Sequence, residues 1–337
     1  MTILAPTGMG HADHLVAGDM AGVAAAMTEA ATDWLSSLSG PQQKKAIWPF
    51  SHPERGDWHY APRERHGLPL GAMDEPQREK AKALLASALS PHGRAKALAI
   101  MALETVLLEL EKGTGPRRDP LNYAFTVFGE PGTPPWGWRI EGHHLIVNAT
   151  IADREVAISP TFWGTNPARI PHGPRAGERI QADEYHLGLE LARSLTGAQR
   201  AIAVFAEHSV GNIITERGRA QALERPTGLS FVQLDDGQRS LVMRLLHAHI
   251  GNAADPLAES ALRRAEHDGF DHMHLAWAGG TVEGSAFYYR LHAPRLLVEF
   301  DCTQNDANHI HALWRDPTRD WGRDFLGEHY SHHHDHD

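Results

Sequence analysis

The chain has 337 residues, 42% hydrophobic and 22% charged, with a formal net charge of −10 when its 24 histidines are neutral. That length supports a large core without staples, and the single cysteine, Cys302, excludes an internal disulfide or a cysteine-rich zinc knot. The acidic balance argues against nucleic acid and against an anionic membrane as partner, since both need a basic face.

The first residues show no basic segment followed by an apolar run, and no window of about 18 apolar residues occurs, so a soluble, cytoplasmic protein is expected. The pattern predicts a first helix over 19–38, within an N-terminal helical extension reaching residue 44. "FSHPERGDWHYAPRERHGLPLGAM" follows, rich in Pro, Gly and charge; it reads as an ordered loop of a length that is uncommon without a function. Apolar residues then recur at three- and four-residue spacing over 75–89 and 93–111, which predicts a helical pair. Further helical blocks are expected over 182–208, split at "LTGAQ", and over 236–267, split near Asp255-Pro256. Gln-Arg recurs at three helix starts, where Asp74 to Gln77, Thr196 to Gln199 and Asp235 to Gln238 have the spacing of capping boxes. No longer repeat of fixed period is evident.

Two regions read as β: a hairpin within 137–164 and an antiparallel meander of four short runs over 272–315. Strands and helices are segregated, so the expected fold is α+β, an antiparallel sheet packed with helical pairs, in one domain over 45–330. The histidine-rich tail 331–337, "SHHHDHD", is set aside.

The chemistry concentrates on the β regions. In "NHIHALWRD", His309 and His311 share one strand face, as two ligands of one metal would. The preceding run sets Leu297, Glu299 and Asp301 on one face, and carboxylates are poor residues for a strand interior. In "RIEGHHLIVN", alternation puts Arg139, Glu141 and His143 on one face and His144, Ile146 and Asn148 on the other. These residues suggest a divalent transition metal (zinc, iron or copper) held by His309 and His311 with His143 or His144 and Glu299 or Asp301. Glu141 would serve as general base, and Tyr288 and Arg290 would orient an anionic group of a small-molecule substrate. Hydrolysis is slightly preferred over iron or copper oxidation. A non-catalytic metal-binding protein and a metal-free pair of carboxylates, Glu141 and Glu299, are the alternatives.

Several features have plainer readings. Most histidines are ordinary surface or core groups, and His272 and His274 lack a carboxylate cluster. His247 and His249 point apart on a helix. His329 is a weaker extra ligand. Cys302 beside Asp301 is a poor thiolate. Trp136, Trp138, Trp163 and Trp277 are more often core than pocket lining.

The motifs "PWGWRIEGHHLIVN", "PTFWGTNPA", "LAWAGG", "FYYRLHAPRLLVEFD", "ANHIHALWRDP" and "DWGRDFLGEHY", with "RRDPLNYAFTVFG" earlier, resemble the bacterial and fungal family known as domain of unknown function 3500. The resemblance spans roughly 45–330. It implies a single unit whose motifs lie on the two β regions, and the family supplies no settled activity to carry over. Members of that family include exported proteins, whereas this chain shows no obvious signal.

Overall fold

In the computed structural model, which describes residues 19–152, 154–267, 269–324 and 326, the chain lays down nearly the same series of elements twice. The first series is α1 (Met20–Ser36), α2 (Gly40–Ala46), β1 (Ile47–Trp48), β2 (Leu68–Pro69), α3 (Glu75–Ala86), α4 (Pro91–Leu110), β3 (Ala124–Glu130), β4 (Thr133–Gly142), β5 (Leu145–Ala152), β6 (Glu155–Ala157) and β7 (Thr161–Thr165). The second is α5 (Ala182–Ser194), α6 (Gly197–Ala203), β8 (Val204–Ala206), β9 (Leu229–Ser230), α7 (Asp236–Ile250), α8 (Asp255–His267), β10 (His274–Gly279), β11 (Phe287–Ala293), β12 (Leu296–Cys302) and β13 (Ile310–Arg315). The fold is α+β, with a largely antiparallel sheet in the order β1-β3-β4-β5-β7-β13-β12-β11-β10-β8. The predicted meander is β10 to β13.

The two series meet where β7 and β13 pair antiparallel, with Phe162 opposite Leu313. Away from that centre the pairings match: β1 runs parallel to β3 as β8 does to β10, and β2 is antiparallel to β3 as β9 is to β10. The sequence carries the duplication faintly. Gly67, Asp74, Gln77 and Arg78 recur 161 residues later as Gly228, Asp235, Gln238 and Arg239, but Arg139 and Val147 recur 151 residues later as Arg290 and Val298. Connecting segments of unequal length shift the offset, so no fixed period is visible.

The capping boxes form as expected at Asp74, Thr196 and Asp235, and a fourth stands at Ser39. Their glutamines also do more. Gln42 and Gln77 exchange amide hydrogen bonds of 2.9 and 3.1 Å, and Gln199 and Gln238 do the same at 2.8 and 2.9 Å. Each pair ties the start of one helix to the start of another, once in each series.

Helices cover one face of the sheet. Trp136, Trp138, Trp163 and Trp277 point to that side and, with Trp34 of α1, lie in the main core. The register puts Glu141, Ile146, Phe162, Leu313, Glu299 and Arg290 in one row on the opposite face, with the Arg139–Asn148 pair on the same face two residues along. The loops after β1 and β8 cover that face, where Trp58, Tyr60 and Ile213 pack on Ile146, Phe162 and Leu313. Among the described residues no helix is long and apolar enough to cross a membrane.

A buried polar chain joins the helices to the sheet. Lys96 pairs with Glu184 at 2.6 Å, both side chains being almost wholly buried. The Tyr289 hydroxyl donates to the Glu184 carbonyl at 3.0 Å, so its oxygen accepts from His249 Nε2 at 2.8 Å. Burial, and then the Lys96 charge, lower the His249 pKa from 6.5 to about 3. An unfolded chain therefore takes up a proton below pH 6.5 that the folded chain refuses until about pH 3, and stability falls as the pH drops through that window. We expect urea unfolding at pH 5 to show about 2 kcal/mol less stability than at pH 7.5 from this group. His249→Gln, which keeps a donor for Tyr289, should flatten that slope; an unchanged slope would remove His249 as its source.

Candidate metal centre

The β4–β5 connection differs from the sequence expectation. Gly142 pairs with Leu145, so His143 and His144 are the two corner residues of a tight turn and not successive strand positions. The chain reverses there, which puts Ile146 opposite Glu141 and Asn148 opposite Arg139, all on one face. The turn lacks the usual Asn-Gly or Gly, and His144 sits at φ +64°, a backbone region that side-chain-bearing residues seldom adopt. The conformation is held from both sides: His144 N–H donates to the Tyr60 carbonyl at 3.1 Å, and Gly164 N–H donates to the His144 carbonyl at 2.7 Å.

That turn delivers His144 to β13. His144 Nε2 lies 2.8 Å from His309 Nε2 and 3.3 Å from His311 Nε2. Among the described residues these three form the one cluster of His, Cys, Asp or Glu with metal-ligand spacing, their candidate atoms lying within 4.8 Å of one another. Gly164 makes room for it, since a Cβ there would stand 3.0 Å from the His144 ring and 2.9 Å from the Ile310 carbonyl.

The tautomer of His311 is set by its neighbours. Ile213 N–H donates to Asn212 Oδ1 at 2.9 Å, which fixes the amide, and the same oxygen accepts from His311 Nδ1 at 2.7 Å. Asn212 Nδ2 donates to the Tyr60 hydroxyl at 2.9 Å, and Tyr60 donates to Glu216 at 2.9 Å. His311 Nδ1 therefore carries the proton, and Nε2 presents a lone pair toward His144. Burial, and then the neighbouring imidazoles, hold His144 and His311 well below the ordinary range. Burial, and then His143, bring His309 down to about 4. All three rings are neutral at pH 7, the form a metal requires.

The other candidates lie around this cluster. His143 stacks on His144, with ring centroids 3.7 Å apart. Its Nδ1 is 2.5 Å from Glu104 and 3.3 Å from Arg118, and it is not among the three clustered residues. Burial holds His143 below its usual value against the pull of Glu104. Asp301 stands directly opposite His311, and its carboxylate accepts from Thr303 at 2.7 Å and Ser209 at 3.0 Å. Burial raises it to about 6 despite those hydroxyls. Glu299 accepts from the Ile214 and Thr215 amides at 2.6 and 3.0 Å and from Tyr288 at 2.7 Å, and so anchors the loop that carries Asn212. Arg290 donates to Thr227 at 2.8 Å and lies over Phe205. Glu141 lies 3.2 Å from both Arg65 and Arg139, and burial still raises its pKa. Cys302 is buried and its thiol is raised to about 12. His329 and the tail lie outside the described residues.

Sequence reasoning did not find Asn212, Tyr60, Gly164 or Glu104. Only Tyr60 had a signal, lying in the long loop after β1 whose length suggested a function.

Fitting the donor set to a metal needs three neutral nitrogens and room between them. Ligand nitrogens at about 2.0–2.1 Å from one zinc stand roughly 3.3 Å apart. The His144–His311 pair has that spacing and the His144–His309 pair has to open slightly. His144 can give one N–H to only one of its two neighbours, whereas a cation satisfies all three lone pairs.

The family described as "Protein of unknown function (DUF3500)" matches residues 21–323. No curated protein and no solved structure matches the chain.

Gly164→Ala tests how tightly the turn is packed. Its methyl group must displace the His144 ring or the Ile310 backbone, and we expect a loss of about 1–3 kcal/mol in urea unfolding. The His144 ring resonances should shift in the same variant. Full stability with unmoved resonances would mean that the ring is not confined by β7.

Proposed function

The chain belongs to the DUF3500 family, and from its site we propose that it is a metal-dependent enzyme acting on a small polar substrate, with hydrolysis as the preferred reaction class. The observation that carries this reading is the convergence of His144, His309 and His311 with the tautomer of His311 fixed by Asn212. These three side chains would hold the ion. A divalent ion there supplies Lewis-acid polarisation of a substrate oxygen and a more acidic bound water.

The remaining chemistry belongs to the chain. Asn212 orients His311, and Tyr60 orients both Asn212 and, through its carbonyl, the His144 backbone. Asp301 is the group best suited to hold or pass a proton, because it is paired in register with His311 and raised to about 6, near working pH. Glu299 and Tyr288 hold the Asn212 loop in place, and Glu141 serves as counter-ion to Arg65 and Arg139.

The ligand set favours hydrolysis over oxygen chemistry, since three imidazoles converge here and not two with a carboxylate. The metal-free alternative fits poorly. Glu141 on β4 and Glu299 on β12 are four strand steps apart in the sheet, roughly 19 Å at about 4.8 Å per step, whereas paired glycosidase carboxylates stand about 5 to 9.5 Å apart.

Metal content of the chain ended after Tyr330, made without a purification tag and measured by elemental mass spectrometry, tests the reading. About one equivalent of zinc, iron or copper is expected, falling to background in His144→Ala and in His309→Ala while circular dichroism stays unchanged. Asn212→Ala keeps all three ligands but frees the His311 ring, and should weaken metal binding about 10–100-fold. Metal-free protein after exposure to each ion, or full retention in both histidine variants, would overturn the assignment.

A further inference from the structure

We propose that the cleft between α2, the 62–67 segment and the 116–124 segment is a second binding site, one that takes a small, multiply charged anion such as a di- or polyphosphate or a polycarboxylate. It encloses about 750 Å³, within the usual range for small-molecule sites. None of the three clustered histidines lines it.

The charge of its walls is opposite to that of the chain. Lys44, Lys45, Arg63, Arg65 and Arg117 line it, against Glu64 as the one acidic lining residue, in a protein whose net charge is −10. Concentrating cations there costs self-repulsion, which an anionic occupant removes. Part of the charge is already balanced: Arg117 pairs with Asp119 at 2.8 Å, and Arg65 lies 3.2 Å from the buried Glu141. Lys44 and Lys45 have no carboxylate partner among the described residues, and Arg63 approaches Glu141 only to 3.7 Å. The Arg63 Nε is buried without a hydrogen-bond acceptor, so the protein itself does not fully satisfy this partly exposed guanidinium.

The cleft has a shaped wall as well as a charge. Arg65 is held rigid by the carbonyls of His59, Ala61 and Arg63 and by Glu141, so its engaged guanidinium fixes the wall and adds positive charge behind it. Trp48 forms an aromatic side of the cleft with its indole N–H bound to the Lys45 carbonyl at 3.0 Å, a surface on which a flat or apolar part of the ligand can lie. The equivalent place in the second series is not basic: Lys44 and Lys45 become Ala201 and Ile202, 157 residues later. The basic cleft thus belongs to one half of the duplicated fold, as the histidine turn does.

Isothermal titration of the full chain with inorganic pyrophosphate, with citrate and with acetate tests the proposal. Pyrophosphate or citrate should bind at one site and acetate far more weakly, and whichever of the two binds tighter identifies the phosphate or the carboxylate class. The double variant Lys44→Glu/Lys45→Glu should weaken that binding by about tenfold or more while leaving metal content unchanged. His144→Ala should leave anion binding unchanged, which separates this cleft from chelation at the histidine cluster. Binding that survives the charge reversal, binding lost in His144→Ala, or no binding of either anion would overturn the proposal.

Discussion

The polar face of the sheet is buried, and that constraint organises the site. A sheet face carrying Arg139, Asn148, His311, Glu299, Asp301 and Arg290 cannot be covered by apolar helices, because each group would lose its solvation without a partner. Loops supply the partners. Arg139 takes the Glu54 and Asp57 carbonyls at 2.7 and 3.0 Å, and Glu299 takes the amides of Ile214 and Thr215. These two anchors fix the loops after β1 and β8 against the sheet. Tyr60 comes with the first and Asn212 with the second, and their mutual hydrogen bond closes over His311. The orientation of one imidazole thus rests on buried charges of other strands, Glu299 on the adjacent β12 and Arg139 three strands away on β4.

What the sequence revealed follows from the range of each signal. Helical periodicity and cap residues are local, so the helices and their breaks at "LTGAQ" and Asp255-Pro256 were legible, as was the meander that presents His311 and Asp301 on one face. The turn at His143-His144 was not, because nothing in its composition announces a reversal; it is imposed by hydrogen bonds from Tyr60 and Gly164, residues distant in sequence. Strand alternation carried across that turn therefore divided residues that the register unites. Asn212 sits in a segment without periodicity, and its role appears only when Glu299 pins the loop. The duplication was hidden for a related reason: the Gln-Arg starts were read correctly as caps, yet the glutamine pairs that make them a repeated unit join helices 35 and 39 residues apart in sequence.

The two halves of the fold share a scaffold and differ in what it holds. Arg139 and Arg290 occupy equivalent strand positions, but the first is matched by carboxylates from Glu54 and Glu141, and the second by the Thr227 hydroxyl and the face of Phe205. The hairpin that carries His143-His144 in the first half is Pro294-Arg295 in the second. With equal backbones, the chemistry is decided by side chains at the turns and in the covering loops. Those are the places where a change costs the core least.

The choice of imidazoles over carboxylates at the cluster has an energetic reason. A buried carboxylate without a cation is expensive, and each acidic group near the site is already occupied: Glu104 by His143, Glu299 by loop amides and Tyr288, Asp301 by two hydroxyls. Three neutral imidazoles can be buried together without that cost, because their depressed proton affinity keeps them uncharged. The hydrogen bonds that position His144 and His311, with Tyr60, Gly164 and Asn212, do not involve an ion. His144 and His311 are thus placed by the fold's own hydrogen bonds, in contrast to small domains whose folding depends on metal binding. The affinity of the proposed metal site would then depend on how well the loops hold His311 and His144, so the covering loops would matter to it as much as the strand that carries His309 and His311.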